Sequence, residues 1–497
     1  MNAFIVLNPL DNVGVALRDL PAGEAVSATV RLCEPVARGH KFALADIPAG
    51  AAALKYGTMI ARATAAIPAG AWVHTHNVTT TLSGPGEYWY DYDATAVRPP
   101  AAGENAVVPM IMAFPRSGDR IGIRNEIWVV PTVGCVNRLT QRLAAAANAN
   151  RPGMVDAVVA FPHPYGCTPP GDDLDNTRAI LANLACHPNA GGVLYVGLGC
   201  ENNIMAEFRD IVESRPGKTN VRYMVAQDVE DEMAEGMRLL DELLEDASRA
   251  RRIPVPVSRL SVGMKCGASD GLSGITANPL LGSFADWLVW RGGRVMLTEV
   301  PKMFGAEAGL LNRAETREVF DRGVAMIENF KRYFLQHGRE IHENPSPGNL
   351  ASGISTLEDK SIGCVQKVGR GVVTDIVPYG GRCSRSGVSL LSGPGEDMVA
   401  VTNLAAAGAH LVLFSTGTGN PLGGPVPVIK VSSNAALSGK KRHWIDFDAG
   451  PLASGETLDA VTGRFLELVL DVASGRHTRN EEYDYRDFTI FKIGVTL

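Results

Sequence analysis

The chain has 497 residues, 45% hydrophobic and 20% charged, which are ordinary globular proportions with length for about three domains. A formal net charge of -6 argues against nucleic acid or an anionic membrane as partner, since both call for a basic surface. Eight cysteines without a C-x-x-C pair are not a disulfide framework, so a reducing, cytoplasmic setting is expected.

Residues 1–93 read as a small β-rich domain, with Pro21-Ala22-Gly23, Pro48-Ala49-Gly50 and Pro68-Ala69-Gly70 at its turns. Near its end, His74 and His76 would project from one face of a strand, about 7 Å apart, so that two imidazoles converge on one metal. Surface or substrate-contacting histidines are the alternative. Residues 94–115, with Pro99-Pro100 and Ala101-Ala102-Gly103, read as an unpatterned linker.

From 116 to 250 the chain alternates strand, loop and helix, which predicts a parallel sheet with both faces covered. Expected strands at 127–133, 155–161 and 192–198 lead into Gly134-Cys135-Val136-Asn137, into His163 and Cys167, and into Gly199-Cys200-Glu201-Asn202. A second α/β domain is expected from 251 to 497. Its strand at 260–264 runs into Lys265-Cys266-Gly267-Ala268-Ser269-Asp270, and a helix is expected at 280–290. Further strands at 294–299, 371–378 and 410–414 and helices at 307–336 and 458–474 follow. The glycine run at 416–424 lacks the Gly-Lys-Ser/Thr of a phosphate loop and reads as a ligand-lining turn. The stretch 398–429 carries no Asp, Glu, Lys or Arg, yet its glycines, prolines and His410 mark it as buried core, not a membrane span.

Cys135, Cys167, Cys200 and Cys266 all follow expected strands, and open α/β sheets bind ligands beyond the carboxyl ends of their strands. One cysteine alone is ordinarily a small buried hydrophobe. Four at equivalent places, beside His163, Glu201, Lys265 and Asp270, point to a polar active site. Thiolates suit iron or zinc, whereas imidazole and carboxylate also suit iron or manganese.

Long motifs then carry a resemblance. They include Gly122-Ile123-Arg124-Asn125-Glu126, Gly197-Leu198-Gly199-Cys200-Glu201-Asn202-Asn203, the Lys265 loop, Leu297-Thr298-Glu299-Val300-Pro301 and Asn344-Pro345-Ser346-Pro347-Gly348-Asn349. With His74-Thr75-His76-Asn77, they make the chain similar to the altronate/galactarate dehydratase family over essentially its full length. The resemblance implies a small N-terminal β-clip (SAF) domain joined to a large α/β region. It implies a hydro-lyase that turns a hexonic or hexaric acid into a 2-keto-3-deoxy acid, with ferrous iron as cofactor and manganese or an iron–sulfur cluster as alternatives. A base would take the proton α to the carboxylate, and the 3-hydroxyl would leave.

Together with the loop positions, this makes His163, Lys265, Ser269, Asp270 and Glu201 the expected catalytic residues. Arg124, Asn125, Thr276, Asn278, Glu299 and Asn349 are expected at the substrate, and His74, His76, Cys135, Cys200 and Cys266 at the metal. A homo-oligomer acting on a small sugar acid, without nucleic acid or membrane, is expected. The chain departs from the family pattern at Leu350 and Thr418, where cations are usual, and at Gly267-Ala268, where two glycines are. Those departures keep open a different hydroxy acid, galactarate among them, or a non-catalytic sugar-acid binder on the same scaffold.

Overall fold

The computed structural model describes residues 3–98 and 108–494; the expected linker's Pro99-Pro100 and Ala101-Ala102-Gly103 lie outside the described residues. The N-terminal domain is two small antiparallel sheets. One orders Phe4–Ile5, Val13–Ala16, Lys41–Ala43 and Trp72–Val73; the other orders Ala52–Lys55, Thr58–Ala63 and Val78–Thr79. Val13, Ile47, Ile60, Ile67 and Val73 fill the space between them.

The strand expected to carry both histidines stops at Val73, so His74 and His76 lie in a turn and do not share a strand face. Asn77 is the cause. Its side chain accepts from His74 N at 3.0 Å and donates to Trp72 O at 2.8 Å, closing the turn on itself.

The second unit is a four-stranded parallel sheet ordered Val158–Ala160, Glu126–Pro131, Ala190–Gly197, Asn220–Val225. The central strands are buried except at Gly191, as helices on both faces require. Asn137–Asn150 and Glu232–Ala247 cover one face, and Asp172–Leu184 and Met205–Glu213 the other. Where an unpatterned linker was expected, Met110–Pro115 forms a strand between Ile253–Pro256 and Ile121–Gly122. Ile111 and Ala113 point inward there while Met110 and Met112 are exposed, an alternation that the flanking prolines disguise.

The third unit is a seven-stranded parallel sheet. Its order is Val373–Val377, Gly387–Leu391, Arg294–Leu297, Ser261–Cys266, Leu411–Thr416, Val428–Ser432, Phe447–Asp448. Helices Ala277–Trp290 and Leu458–Ala473 pack on one face, and Asp397–Ala406 on the other, where it meets Asp172–Leu184 of the second unit. The helix expected over 307–336 is two, Glu307–Leu311 and Arg317–Gln336, because Thr316 caps the second by accepting from Val319 N. Among the described residues no helix is long and apolar enough to cross a membrane.

Chain order fixes where ligands gather. In the larger sheet the chain leaves Ser261–Cys266 to build one flank, then returns to its other side with Leu411–Thr416. The crevice beyond those two strand ends is the topological switch point. The smaller sheet has its own between Glu126–Pro131 and Ala190–Gly197.

Candidate active site

At the larger switch point, strand Ser261–Cys266 ends on two fully buried residues, Lys265 and Cys266. Lys265 Nζ donates to Glu299, to Asp397 Oδ1 at 2.5 Å and to Cys266 O at 3.0 Å. Lys302 Nζ donates to the same Glu299 oxygen and, at 2.7 Å, to Cys266 O. Two ammonium groups and two carboxylates thus alternate in a buried chain, and only Asp397 reaches solvent, with 26% of its side chain exposed. Burial alone would raise the Asp397 carboxyl, but Lys265 and Lys302 override it and hold the group below its usual range.

Backbone conformation marks the same place. Glu299 has φ +69° and Ala268 φ +50°, left-handed values that cost a non-glycine residue about 1–2 kcal/mol.

Beneath this chain Cys266 Sγ lies 3.4 Å from Cys364 Sγ and 3.1 Å from Lys367 Nζ. The Cys364 thiol donates to Cys266 and nearby Lys302, Lys367 and Lys265 attract its thiolate, so Cys266 is held well below the usual thiol range. On the other side, Asn420 Nδ2 bonds Asp397 Oδ2 at 2.8 Å and its carbonyl accepts from Lys430 Nζ at 2.9 Å. Burial lowers that amine to about 7.

Asp270, from the loop after Cys266, forms a second cluster. Its Oδ1 accepts from Ser273 Oγ at 2.7 Å and Ser433 Oγ at 2.8 Å, and its Oδ2 from Asn434 Nδ2 at 3.1 Å. The loop is braced by Thr276 Oγ1 to Ser433 O, by Asn278 Nδ2 to Gly363 O and by Asn349 Nδ2 to Ser269 O, all at 2.8–2.9 Å. Lys360 Nζ in turn holds Asn349 Oδ1 at 2.7 Å. Ser269 itself is buried. Thr276, Asn278 and Asn349 therefore shape the loop from beneath, with their polar atoms already committed.

The N-terminal domain closes over this loop. Lys41 Nζ reaches Gly353 O at 2.6 Å and Asp359 Oδ2 at 2.8 Å, and Lys55 Nζ reaches Asp359 Oδ1 at 3.0 Å, all of it buried. His40 and His74 flank Trp72. Their Nε2 atoms face Ala351 O at 3.3 Å and Leu350 O at 2.9 Å, and their Nδ1 atoms accept from Trp72 Nε1 and Thr75 N. Backbones touch at Gly271 and Gly353, where a Cβ would stand 2.0 and 2.3 Å from Gly39 O. The cavity left among Lys55, Asp270, Asn278 and Lys360 is about 10 Å³, too little for a sugar acid. Exposed Arg38, exposed His76, Leu350 and exposed Thr418 ring the seam; Thr418 N donates to Ala268 O at 3.0 Å.

Several expected site residues lie elsewhere. Arg124 is buried with all five donors used, on Glu481, Ile123 O, Val472 O and Arg476 O, and so ties the second unit to the C-terminal segment. Asn125 is spent on Arg116 and Ala247 O. His163 is buried, its Nε2 on Pro131 O at 3.0 Å. Glu201 accepts from Thr132 Oγ1, Leu198 N and Gly199 N at 2.7–3.2 Å, which folds its own loop. These four have no group left for a substrate in this arrangement. Asp397, Ser433, Asn434 and Lys430 were missed because they stand in stretches without motif, and Lys302 because it lies one residue past the Leu297–Pro301 motif; only the fold brings them to Lys265 and Asp270.

The five expected metal residues do not form one site, and among the described residues no group of three or more His, Cys, Asp or Glu stands close enough to hold a single ion. Cys266 is walled by three lysines, a poor setting for a cation. Both nitrogens of His74 are engaged. The donors that suit iron by chemistry are the thiols of Cys135, Cys167 and Cys200, on the three loops at the carboxyl ends of adjacent strands of the smaller sheet. Those loops touch through Gly134 N to Tyr165 O at 2.7 Å and Asn202 N to Cys167 O at 2.8 Å. Cys135 and Cys200 are exposed.

Comparison with known proteins bears on this geometry. Three family models match in succession: the altronate/galactarate dehydratase SAF domain over residues 2–81, the D-galactarate dehydratase/altronate hydrolase second domain over 113–248, and the D-galactarate/altronate dehydratase C-terminal domain over 257–496. The chain belongs to the altronate/galactarate dehydratase family. Its relatives include altronate dehydratase of Escherichia coli (strain K12), 46% identical over 99% of this chain and 100% of the relative. Altronate dehydratase of Bacillus subtilis (strain 168) is 45% identical over the whole of both chains. Galactarate dehydratase (L-threo-forming) of Escherichia coli is 30% identical over 95% of this chain and 93% of the relative. Within the family fold, the seam between the SAF domain and the seven-stranded sheet is where the polar clusters gather.

Proposed function

We propose that this chain is a hydro-lyase that dehydrates a six-carbon aldonic acid of the altronate type to a 2-keto-3-deoxy acid. Full-length identity of 46% and 45% to two altronate dehydratases, against 30% to a galactarate dehydratase, favours the monocarboxylate. The observation that carries the reading is the pair of polar clusters at one switch point, Lys265–Glu299–Lys302–Asp397 and Asp270–Ser433–Asn434, under the SAF domain.

The proton α to a carboxylate is weakly acidic, so its removal needs a fixed base and a fixed positive field for the charge that develops. Asp270, anchored by two serines and an asparagine, is the base of this proposal. Lys265, oriented by Glu299 and Asp397, supplies the field, and the exposed Arg38 at the seam holds the substrate carboxylate. Asp397, the solvent-facing member, fixes Lys265 from the outer side, and the proton taken by Asp270 leaves with the 3-hydroxyl as water. Iron is the cofactor of the reading, manganese or an iron–sulfur cluster the alternatives, but Cys135, Cys167 and Cys200 do not stand close enough together to hold one ion, so no step is routed through a metal.

The test is 2-keto acid formation from altronate and galactarate with ferrous iron added. Asp270→Asn is expected to lower turnover by about 10²–10⁴, the usual worth of a general base. Its melting temperature should stay within a few degrees. Turnover of neither acid by the wild type would overturn the function.

A further inference from the structure

The amino ends of the parallel strands, opposite both clusters, hold a feature that the dehydration reaction does not use. A cleft of about 750 Å³ opens between the second and third units, where Ser261, Arg294 and His410 begin or precede strands of the larger sheet and Pro188 and Gly217 precede strands of the smaller. Five arginines line it: Arg120, Arg215, Arg259, Arg294 and Arg382. Its single carboxylate among the described residues is Asp119, which stands 3.6 Å from Arg259 with its side chain 91% exposed.

The other four guanidinium groups are held by neutral partners. Arg120 donates to Cys186 O at 2.6 Å and Ser117 O at 3.1 Å, and Arg382 donates to the same Cys186 O at 3.3 Å. Arg294 bonds Ser384 O at 3.1 Å and Ser261 Oγ at 3.2 Å, and Arg215 bonds the Asn183 side chain. Arg215 Nε is buried and has no partner. Two guanidinium groups converging on one carbonyl repel each other, and half-burial weakens the screening that water would give. Burial first, and then repulsion from a neighbouring guanidinium, Arg382 for Arg120 and Arg215 for Arg382, lower both groups. A chain whose net charge is -6 keeps four uncompensated cations in one concavity. Carbonyls orient these side chains without neutralising them, so the charge stays available.

We propose that this cleft is a binding site for a small polyanion carrying two or more phosphate or carboxylate groups. Planar forks that converge from two sides fit such groups in bidentate fashion. The volume falls within the range of small-molecule pockets. Arg120 and Arg215 belong to the second unit and Arg259, Arg294 and Arg382 to the third, so the ligand bridges the two units on the face away from the reaction. The inference goes beyond the dehydratase reading and does not depend on it.

The test is calorimetric titration of the full-length protein with inorganic pyrophosphate, and separately with citrate, at low and at high salt. The wild type is expected to bind one equivalent of one of them, more weakly at high salt. Arg120→Gln with Arg382→Gln is expected to weaken binding at least tenfold and to leave dehydration of altronate unchanged. Arg259→Gln, at a more accessible position, is expected to weaken it at least threefold and carries the test if the double variant does not fold. Asp397→Asn should bind as the wild type does, which separates this cleft from the reaction centre. Binding of citrate in place of pyrophosphate supports the site with a polycarboxylate as its ligand. No binding of either probe at 5 mM, or binding that survives both arginine variants, overturns it. So does a change of oligomeric state in Arg120→Gln/Arg382→Gln without probe binding by the wild type, which would assign the cleft to a second copy of the chain.

Discussion

Replacing Asp359 by Asn tests whether the SAF domain is held to the large region by charge. In the native structure the Asp359 carboxylate receives Lys41 at 2.8 Å and Lys55 at 3.0 Å, and Ser355 N at 3.2 Å, with all three charged side chains buried. Burial on its own would raise this carboxyl. Lys41 and Lys55 override that and hold it well below the usual carboxylate range. The amide would leave two ammonium groups buried together without a counter-charge, and breaking a buried ion pair from one side costs about 3–5 kcal/mol. The SAF match spans residues 2–81, and a domain of that size loses roughly 4–8 °C per kcal/mol. Scanning calorimetry of Asp359→Asn should therefore show an early transition at least about 12 °C below the wild-type one. Turnover should fall with it, because His40, His74 and Lys55 leave the seam. The sign with pH follows from a depressed folded value: the contribution is complete above about pH 4 and is lost as pH falls further through the folded value. A single unshifted transition with full turnover would refute the reasoning.

Ala268→Gly should stabilise the protein by about 0.5–1 kcal/mol in urea titration, since relief of the left-handed strain at φ +50° exceeds glycine's extra chain entropy; no gain would mean that the loop is unstrained. His163, lowered to about 4 by burial against the opposing bond to Pro131 O, stabilises the fold fully above pH 6.5 and loses about 3 kcal/mol as pH falls towards 4. His163→Gln should flatten that part of the stability profile, and an unchanged profile would count against it. Leu350→Lys with Thr418→Arg should lower the KM for altronate by about tenfold per restored charge-assisted bond of 1.5–3 kcal/mol; efficient altronate turnover by the wild type would show that neither position governs recognition.

Much of the fold was legible because strand ends and glycine loops leave local signals. The strands beginning near Glu126, Ala190, Ser261 and Leu411 were placed within a few residues. Gly387–Leu391 and Val428–Ser432 were not separated from the surrounding apolar stretches, because fully buried strands show no alternation. The site was half legible. Lys265, Asp270 and Glu299 stand in dense polar loops. Their partners Asp397, Ser433 and Asn434 are more than 90 residues distant in sequence and are joined to them only by the crossover order of the sheet. Arg124 and Glu201 sit inside strong motifs that read as substrate-binding and catalytic, whereas in the structure their side chains brace neighbouring chain.

The contact of Gly271 and Gly353 with Gly39 O has a consequence for how this architecture diversifies. A methyl group at either glycine would wedge the two bodies apart and lift Lys41 and Lys55 from Asp359, so these positions act as a gauge that sets the clearance over the reaction loop. New specificities must then arise at the rim, at positions such as Leu350 and Thr418, where a side chain changes without moving the lid. Grafting a SAF domain from one relative onto another should succeed only when both halves of that glycine contact travel together.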